Sequence, residues 1–141
     1  MTLHHGRCHC GAIEVDFETA LGPQEVEIRA CQCSFCRRHG SRAAADPAGT
    51  LTIRMRDETQ MNRYRFGLET AEYLVCRTCG VYVAAITIGE SEMRGIVIVN
   101  ALDNSGLFTR APAAVDFDAE DREARVARRR ARWMPVAFDG P

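Results

Sequence analysis

Seven cysteines in 141 residues fall into three groups: Cys8-His9-Cys10, Cys31-Gln32-Cys33-Ser34-Phe35-Cys36 and Cys76-Arg77-Thr78-Cys79-Gly80. Seven is four plus three. Four thiolates close a tetrahedral zinc site, whereas three leave one position open. A closed site holds a fold together; an open one can do chemistry. In C-x-C the side chains lie two residues apart, so on an extended strand both point to one face and reach one ion. In C-x-x-C the chain turns back on itself, and Gly80 directly after the pair suits that turn. C-x-C-x-x-C combines both devices. The spacings divide the ligands into Cys8, Cys10, Cys76 and Cys79 on one zinc, and Cys31, Cys33 and Cys36 on a second.

Other uses of thiols compete. Disulfides are disfavoured by the odd count, by the strain of a C-x-C bridge and by the absence of any apolar secretion signal. An iron–sulfur cluster or a rubredoxin-like iron also takes thiolates. In a third alternative both metals are structural and the trio finds a fourth ligand such as His9 or His39.

The elements that must position these groups read mainly as short strands. Ala12 to Glu18 alternates Ile13, Val15 and Phe17 with Glu14, Asp16 and Glu18, a half-buried strand beginning at the first C-x-C. Leu21-Gly22-Pro23 is a turn, and Glu25 to Ala30 alternates again into the middle group. Ser34 to His39 is expected as a short helical turn ending at Gly40. Leu51, Ile53 and Met55 mark another strand, and Met61 to Phe66 a further one. Ala71 to Val75 and Val81 to Ile88 flank the last pair as in a zinc-ribbon hairpin. Arg94 to Val99 is the most continuous apolar strand and is expected to be central. Ala119 to Arg132 is a helix candidate capped by Asp118, with acids in its first turn and arginines in its last. Its arginines are expected to be solvated rather than a nucleic-acid surface.

Composition narrows the function. The formal net charge is −1, with 18 basic residues that are all arginine. That balance gives no reason to expect nucleic acid or an anionic membrane as partner. No apolar run approaches the roughly 18 residues of a membrane helix. Reduced cysteines without a secretion signal suggest the cytoplasm. The expected organisation is a zinc domain over 1–110 and a C-terminal extension over 111–141 with the arginine-rich helix.

GRCHCGAIEVDF, CQCSFCRRHGS, YLVCRTCGVYV and IVIVNALDN together resemble the glutathione-dependent formaldehyde-activating enzyme family, also called the GFA or CENP-V family. The resemblance covers residues 5 to about 104 and includes all seven cysteines. It implies an Mss4-like, mainly β fold of packed antiparallel sheets with zinc-knuckle hairpins, to which this chain adds a C-terminal helix. It also implies a structural zinc on Cys8, Cys10, Cys76 and Cys79 and a catalytic zinc on Cys31, Cys33 and Cys36. The implied activity is that of a carbon–sulfur lyase, joining formaldehyde and glutathione as S-hydroxymethylglutathione. Gln32 stands where the family usually has histidine, and the arginine-rich helix replaces its usual C-terminal segment.

A three-cysteine zinc suits a sulfur ligand, so the expected partner is a small-molecule thiol such as glutathione. His39, three residues after Cys36, is the nearest candidate base, with a surface histidine as the alternative. Arg37, Arg38 and Arg42 are candidates to pair the thiol's carboxylates, with a solvated basic turn as the alternative. Phe35, between two ligands, is the candidate apolar contact. The expectation leaves room for a homodimer. A second class of function is a non-catalytic, zinc-stabilised Mss4-like binding module, which would need one closed site but not an open one. A methionine-sulfoxide-reductase relative is disfavoured because no cysteine remains outside the metal groups.

Overall fold

A computed structural model describes residues 1–139, and the final two residues of the expected extension lie outside the described residues. The strands are β1 (Thr2–Arg7), β2 (Ile13–Thr19), β3 (Arg29–Cys31), β4 (Ala43–Ala44), β5 (Thr50–Met55), β6 (Met61–Tyr64), β7 (Ala71–Cys76), β8 (Tyr82–Thr87), β9 (Arg94–Ile98), β10 (Ala113–Val115) and β11 (Met134–Asp139). Two α-helices interrupt them, α1 (Ser34–His39) and α2 (Arg122–Arg132). The fold is mainly β, as the alternating patterns indicate.

Strand β2 shows why. Ile13, Val15 and Phe17 are fully buried, and the residues between them stay partly exposed. Its partner β5 turns Leu51, Ile53 and Met55 to the same core. Burying each such side chain contributes roughly 1.5–3 kcal/mol. On the outer face Asp16 accepts hydrogen bonds from Arg54 of β5 and from His5 Nδ1 of β1, the latter at 2.8 Å. These cross-strand pairs fix the register of the three strands.

The pairing order is β1-β2-β5-β11-β9-β4-β3-β10, with β6, β7 and β8 joined side by side to β9. Strand β9 is central, as its apolar run predicts. It has β8 along one edge, and β11 followed by β4 along the other. Most pairings are antiparallel. Two are not: β10 runs parallel to β3, and β11 parallel to β5. Both latecomers return over long connections, which parallel pairing requires.

Residues 111–139 therefore supply two strands as well as the helix. Strand β11 was not legible because Pro135 interrupts its pattern, and proline demotes a strand reading. The structure accommodates it opposite Arg94, and the next amide, Val136 N–H, donates to Met93 O at 3.1 Å. The helix starts three residues later than its composition suggests. Phe117 to Glu120 closes a turn first, and Asp121, not Asp118, is the cap, accepting from Ala124 N–H at 2.8 Å. The helix is also not wholly solvated, because Arg129 is only 5% exposed.

Candidate metal centres and the adjoining cavity

The four-cysteine group is built from two turns of the same kind. After β1 the chain reverses through Cys8 to Ala12, with Cys8 N–H donating to Ile13 O at 2.9 Å and Gly11 N–H to Cys8 O at 3.2 Å. Between β7 and β8, Cys76 N–H donates to Val81 O at 3.0 Å and Gly80 N–H to Cys76 O at 2.9 Å. Gly11 and Gly80 adopt φ of 83° and 79°, the left-handed region that a side chain would strain. The two turns face one another and bring four Sγ atoms within 4.8 Å of each other. Cys8 to Cys10 is 3.8 Å and Cys10 to Cys76 is 3.6 Å. A tetrahedron with metal–sulfur bonds of about 2.3 Å has edges of about 3.8 Å, so the group fits one ion. Ile13 N–H donates to Cys8 Sγ at 3.3 Å. Among the four thiols alone, burial pushes Cys8 up to about 12. Burial also works upward on Cys79, but the Cys10 and Val81 amides outweigh it and hold Cys79 at about 6.

The trio is assembled locally. Cys31 ends β3. Cys33 caps α1 in extended conformation, its Sγ accepting from Cys36 N–H at 3.4 Å. Cys36 lies one turn further and is buried. All three Sγ atoms fall within 4.8 Å of one another. A hydrogen bond from Cys36 holds Cys31 near 6 against its burial, helped by the Cys33 amide and by Arg128. The same Cys31 contact, with burial, pushes Cys36 up. Among the described residues no histidine or acid joins either group, so neither His9 nor His39 completes the trio. Two groups that could each hold a metal ion are thus present, one four-sided and one three-sided.

Cys31 and Cys36 form part of the wall of a cavity of about 60 Å³. Tyr73, Tyr82 and Trp133 line it, with Arg29 from β3 and Arg128 and Arg129 from α2. Arg128 grips Glu120 with two hydrogen bonds, 2.8 and 3.0 Å, and lies 3.5 Å over the Phe117 ring. Arg129 donates through Nη1 to Thr70 Oγ1 at 2.6 Å and sits 4.6 Å over Trp133.

The arginines singled out in the sequence are elsewhere. Arg37 and Arg38 are exposed on α1. Arg42 is partly buried, and its backbone N–H is bound by Asn100 Oδ1 at 2.8 Å. None of the three lines the cavity. Phe35 packs into a ring cluster with Tyr64, Phe66, Tyr73 and Tyr82, at centroid separations of 5.6, 5.4, 5.1 and 5.1 Å. His39 is exposed, and its ring lies against Phe35 in a tilted contact with centroids 4.6 Å apart. Gln32 is exposed, its amide donating to Ala30 O at 2.8 Å. Of the cations that line the trio's cavity, Arg29 stands alone in β3, and Arg128 and Arg129 were hidden in a run of arginines whose flanking acids argue for solvent. Only the packing of α2 against the sheet shows which of them turns inward.

The Arg128 guanidinium holds the Glu120 carboxyl below its ordinary range. A carboxyl with a depressed folded pKa contributes stability above its unfolded value of about 4.3, and that stability is lost as pH falls through the folded value. Glu120→Gln is expected to cost about 1 kcal/mol at neutral pH and nothing once wild-type Glu120 is protonated. Unfolding free energies of both proteins from pH 7 down to pH 3 check this; a constant gap would show that the clamp is not electrostatic.

The model of the glutathione-dependent formaldehyde-activating enzyme family matches residues 3–120, a span holding all seven cysteines. The chain belongs to this family. It is also similar to a Rhodobacter sphaeroides protein of known crystal structure, at 36% identity over 70% of this chain and 87% of that one, with a TM-score of 0.53. For a member of the glutathione-dependent formaldehyde-activating family, the boundary of the match is informative. It ends at Glu120, one residue before the cap of α2. The trio therefore lies inside the family span, whereas Arg128, Arg129 and Trp133, which complete its cavity, lie outside. Among the described residues no helix is long and apolar enough to cross a membrane.

Proposed function

We propose that the protein is a zinc-dependent enzyme of the carbon–sulfur lyase type, acting on a thiol–aldehyde adduct such as S-hydroxymethylglutathione. The observation that carries this reading is the three-sided thiol group opening on a cavity, beside a separate four-sided group that needs no further ligand. Cys8, Cys10, Cys76 and Cys79 would hold a structural zinc, and Cys31, Cys33 and Cys36 a reactive one. When bound at the trio, zinc supplies a site where a substrate thiol ionises near neutral pH. In the addition, a carbon–sulfur bond forms, the carbonyl π electrons move to oxygen, and that oxygen takes the thiol proton. No redox partner is needed. The protein's part is to hold the carbonyl carbon beside the sulfur and to keep bulk water from the pair, which is largely a gain of proximity.

Exposed Arg37 and Arg38 flank the trio on α1 and could meet the carboxylates of a tripeptide thiol outside the cavity. Arg42 lies just beyond them. Phe35 supports Tyr73 and Tyr82 from behind, and His39, lying against it, is the candidate to pass the proton to solvent. Clustered thiols suit a reducing compartment such as the cytoplasm.

Titration of glutathione into the zinc-loaded protein tests the reading. Binding at or below millimolar thiol, with accelerated exchange between formaldehyde, glutathione and their adduct, is expected. No binding at millimolar thiol and no effect on exchange would reject the glutathione chemistry and leave a zinc-stabilised binding module.

A further inference from the structure

Two residues that line the cavity each carry a buried polar atom with no hydrogen-bond partner among the described residues: Nε of Arg129 and the hydroxyl of Tyr82. Their residues are 5% and 4% exposed. An unpaired buried donor costs about 1–3 kcal/mol, and more when charged, so two on one wall call for a ligand. The charge balance says which kind. Arg128 and Arg125 share the one carboxylate of Glu120, and neither Arg29 nor Arg129 forms an ion pair among the described residues. Three thiolates with one divalent ion carry a charge of −1, which offsets only one of those two arginines. The remaining wall is apolar and aromatic, including Tyr73, Ile96 and Trp133. Such a wall strengthens the pull of a cation on an anion.

We infer that the cavity is a carboxylate subsite, in which Arg129 Nε–H and the Tyr82 hydroxyl donate to a carboxylate on the small end of the adduct whose sulfur lies at the trio. This rests on the proposed thiol–aldehyde reading for the reaction and adds the substrate class. Formaldehyde's oxygen accepts hydrogen bonds but carries no charge, so it would leave the arginine cation unmatched. A volume of about 60 Å³ has room for about two waters, hence for a carboxylate and one further carbon but not for the body of a tripeptide. The carboxylate comes either from the carbonyl partner, as in glyoxylate, or from the end of the thiol. Because α2 lies beyond the family span, Arg129 comes from outside that span, whereas Tyr82 lies within it.

Trp133, the sole tryptophan, lies against Arg129 and reports occupancy by its fluorescence. Zinc-loaded protein is titrated with sodium acetate and with acetamide at constant ionic strength, in the absence of any thiol. A saturable change at millimolar acetate and none with acetamide is expected. Arg129→Gln and Tyr82→Phe should each weaken acetate about 10-fold or more. Tyr82→Phe removes only an oxygen that has no partner in the fold, so it serves if Arg129→Gln does not fold. Arg122→Gln, at an exposed position of α2 outside the cavity lining, should bind as wild type. Equal responses to acetate and acetamide, or wild-type acetate affinity in Tyr82→Phe and Arg129→Gln, would overturn the subsite. The second of these places the anion on the metal. Repeating the acetate titration with saturating glutathione separates the sources. Competition assigns the carboxylate to the thiol, and joint binding assigns it to the carbonyl partner. Since the primary readout contains no thiol, its failure is distinct from failure of the glutathione reading.

Discussion

Cys76→Ser is expected to remove one metal ion per chain and to unfold the domain, while Cys33→Ser removes the other ion and leaves the fold intact. Cys76 is 1% exposed and meets Cys10 across 66 residues of chain. Its group is the rivet between the β1–β2 turn and the β7–β8 hairpin. Metal sites of this kind are worth about 10–16 kcal/mol in small zinc peptides, which equals or exceeds the 5–15 kcal/mol net stability of a typical domain. The trio is different. Its three ligands come from six consecutive residues, so the ion there closes little chain. Cys33→Ser loses at most the balance of one cap and one local ligand, on the order of 1 kcal/mol. Turnover of the adduct should nonetheless fall by 10³-fold or more if the trio is the reactive centre. Metal content by mass spectrometry and a thermal melt of each variant decide the matter. Two variants that melt alike would refute the division of roles.

Truncation after Arg132 is the second large effect. It is expected to abolish cooperative unfolding and to yield insoluble protein. The lost segment carries Trp133 and Met134, which are 5% and 0% exposed, and Val136 and Phe138, which pack against the main core. The two buried side chains alone represent about 3–6 kcal/mol of burial, and the two partly buried ones add to it, a large share of the whole stability. The cut would also bare the facing edges of β5 and β9, which invite pairing with other chains. Circular dichroism on heating and the soluble yield test this directly. A truncated protein with the wild-type melt would show that residues 133–141 are an appendage to a domain that stands without them.

The contrast between these two variants also marks what could be read in advance. Cysteine spacing is a local constraint, and it carried the whole of the four-plus-three division onto the structure. Period-two alternation carried β2 and β5, since one buried face leaves its mark on alternate residues, and a continuous apolar run carried β9. The cavity left no such mark. Arg29 stands outside the arginine run, while Arg128 and Arg129 sit inside it, where their neighbours Glu120, Asp121 and Glu123 predict solvent. Which arginine turns inward depends on how α2 lies on the sheet, a matter of tertiary packing. Arg37 and Arg38 drew attention because they follow Cys36 in sequence, but a six-residue helix turned them outward. The parallel strands were hidden for related reasons: β10 has only three residues, and Pro135 interrupts the pattern of β11.

The position of β11 has a kinetic consequence. It pairs with β5 and β9 and follows every other strand in chain order, so the ladder between the two halves of the sheet waits for it. Pairings of such high contact order close slowly, because loop entropy must be spent before they contribute. The β7–β8 turn and the trio, by contrast, are local enough to organise while the tail is still being made. In the interval before the last strand docks, nascent chains present two open strand edges, and that interval is when this protein is most exposed to aggregation.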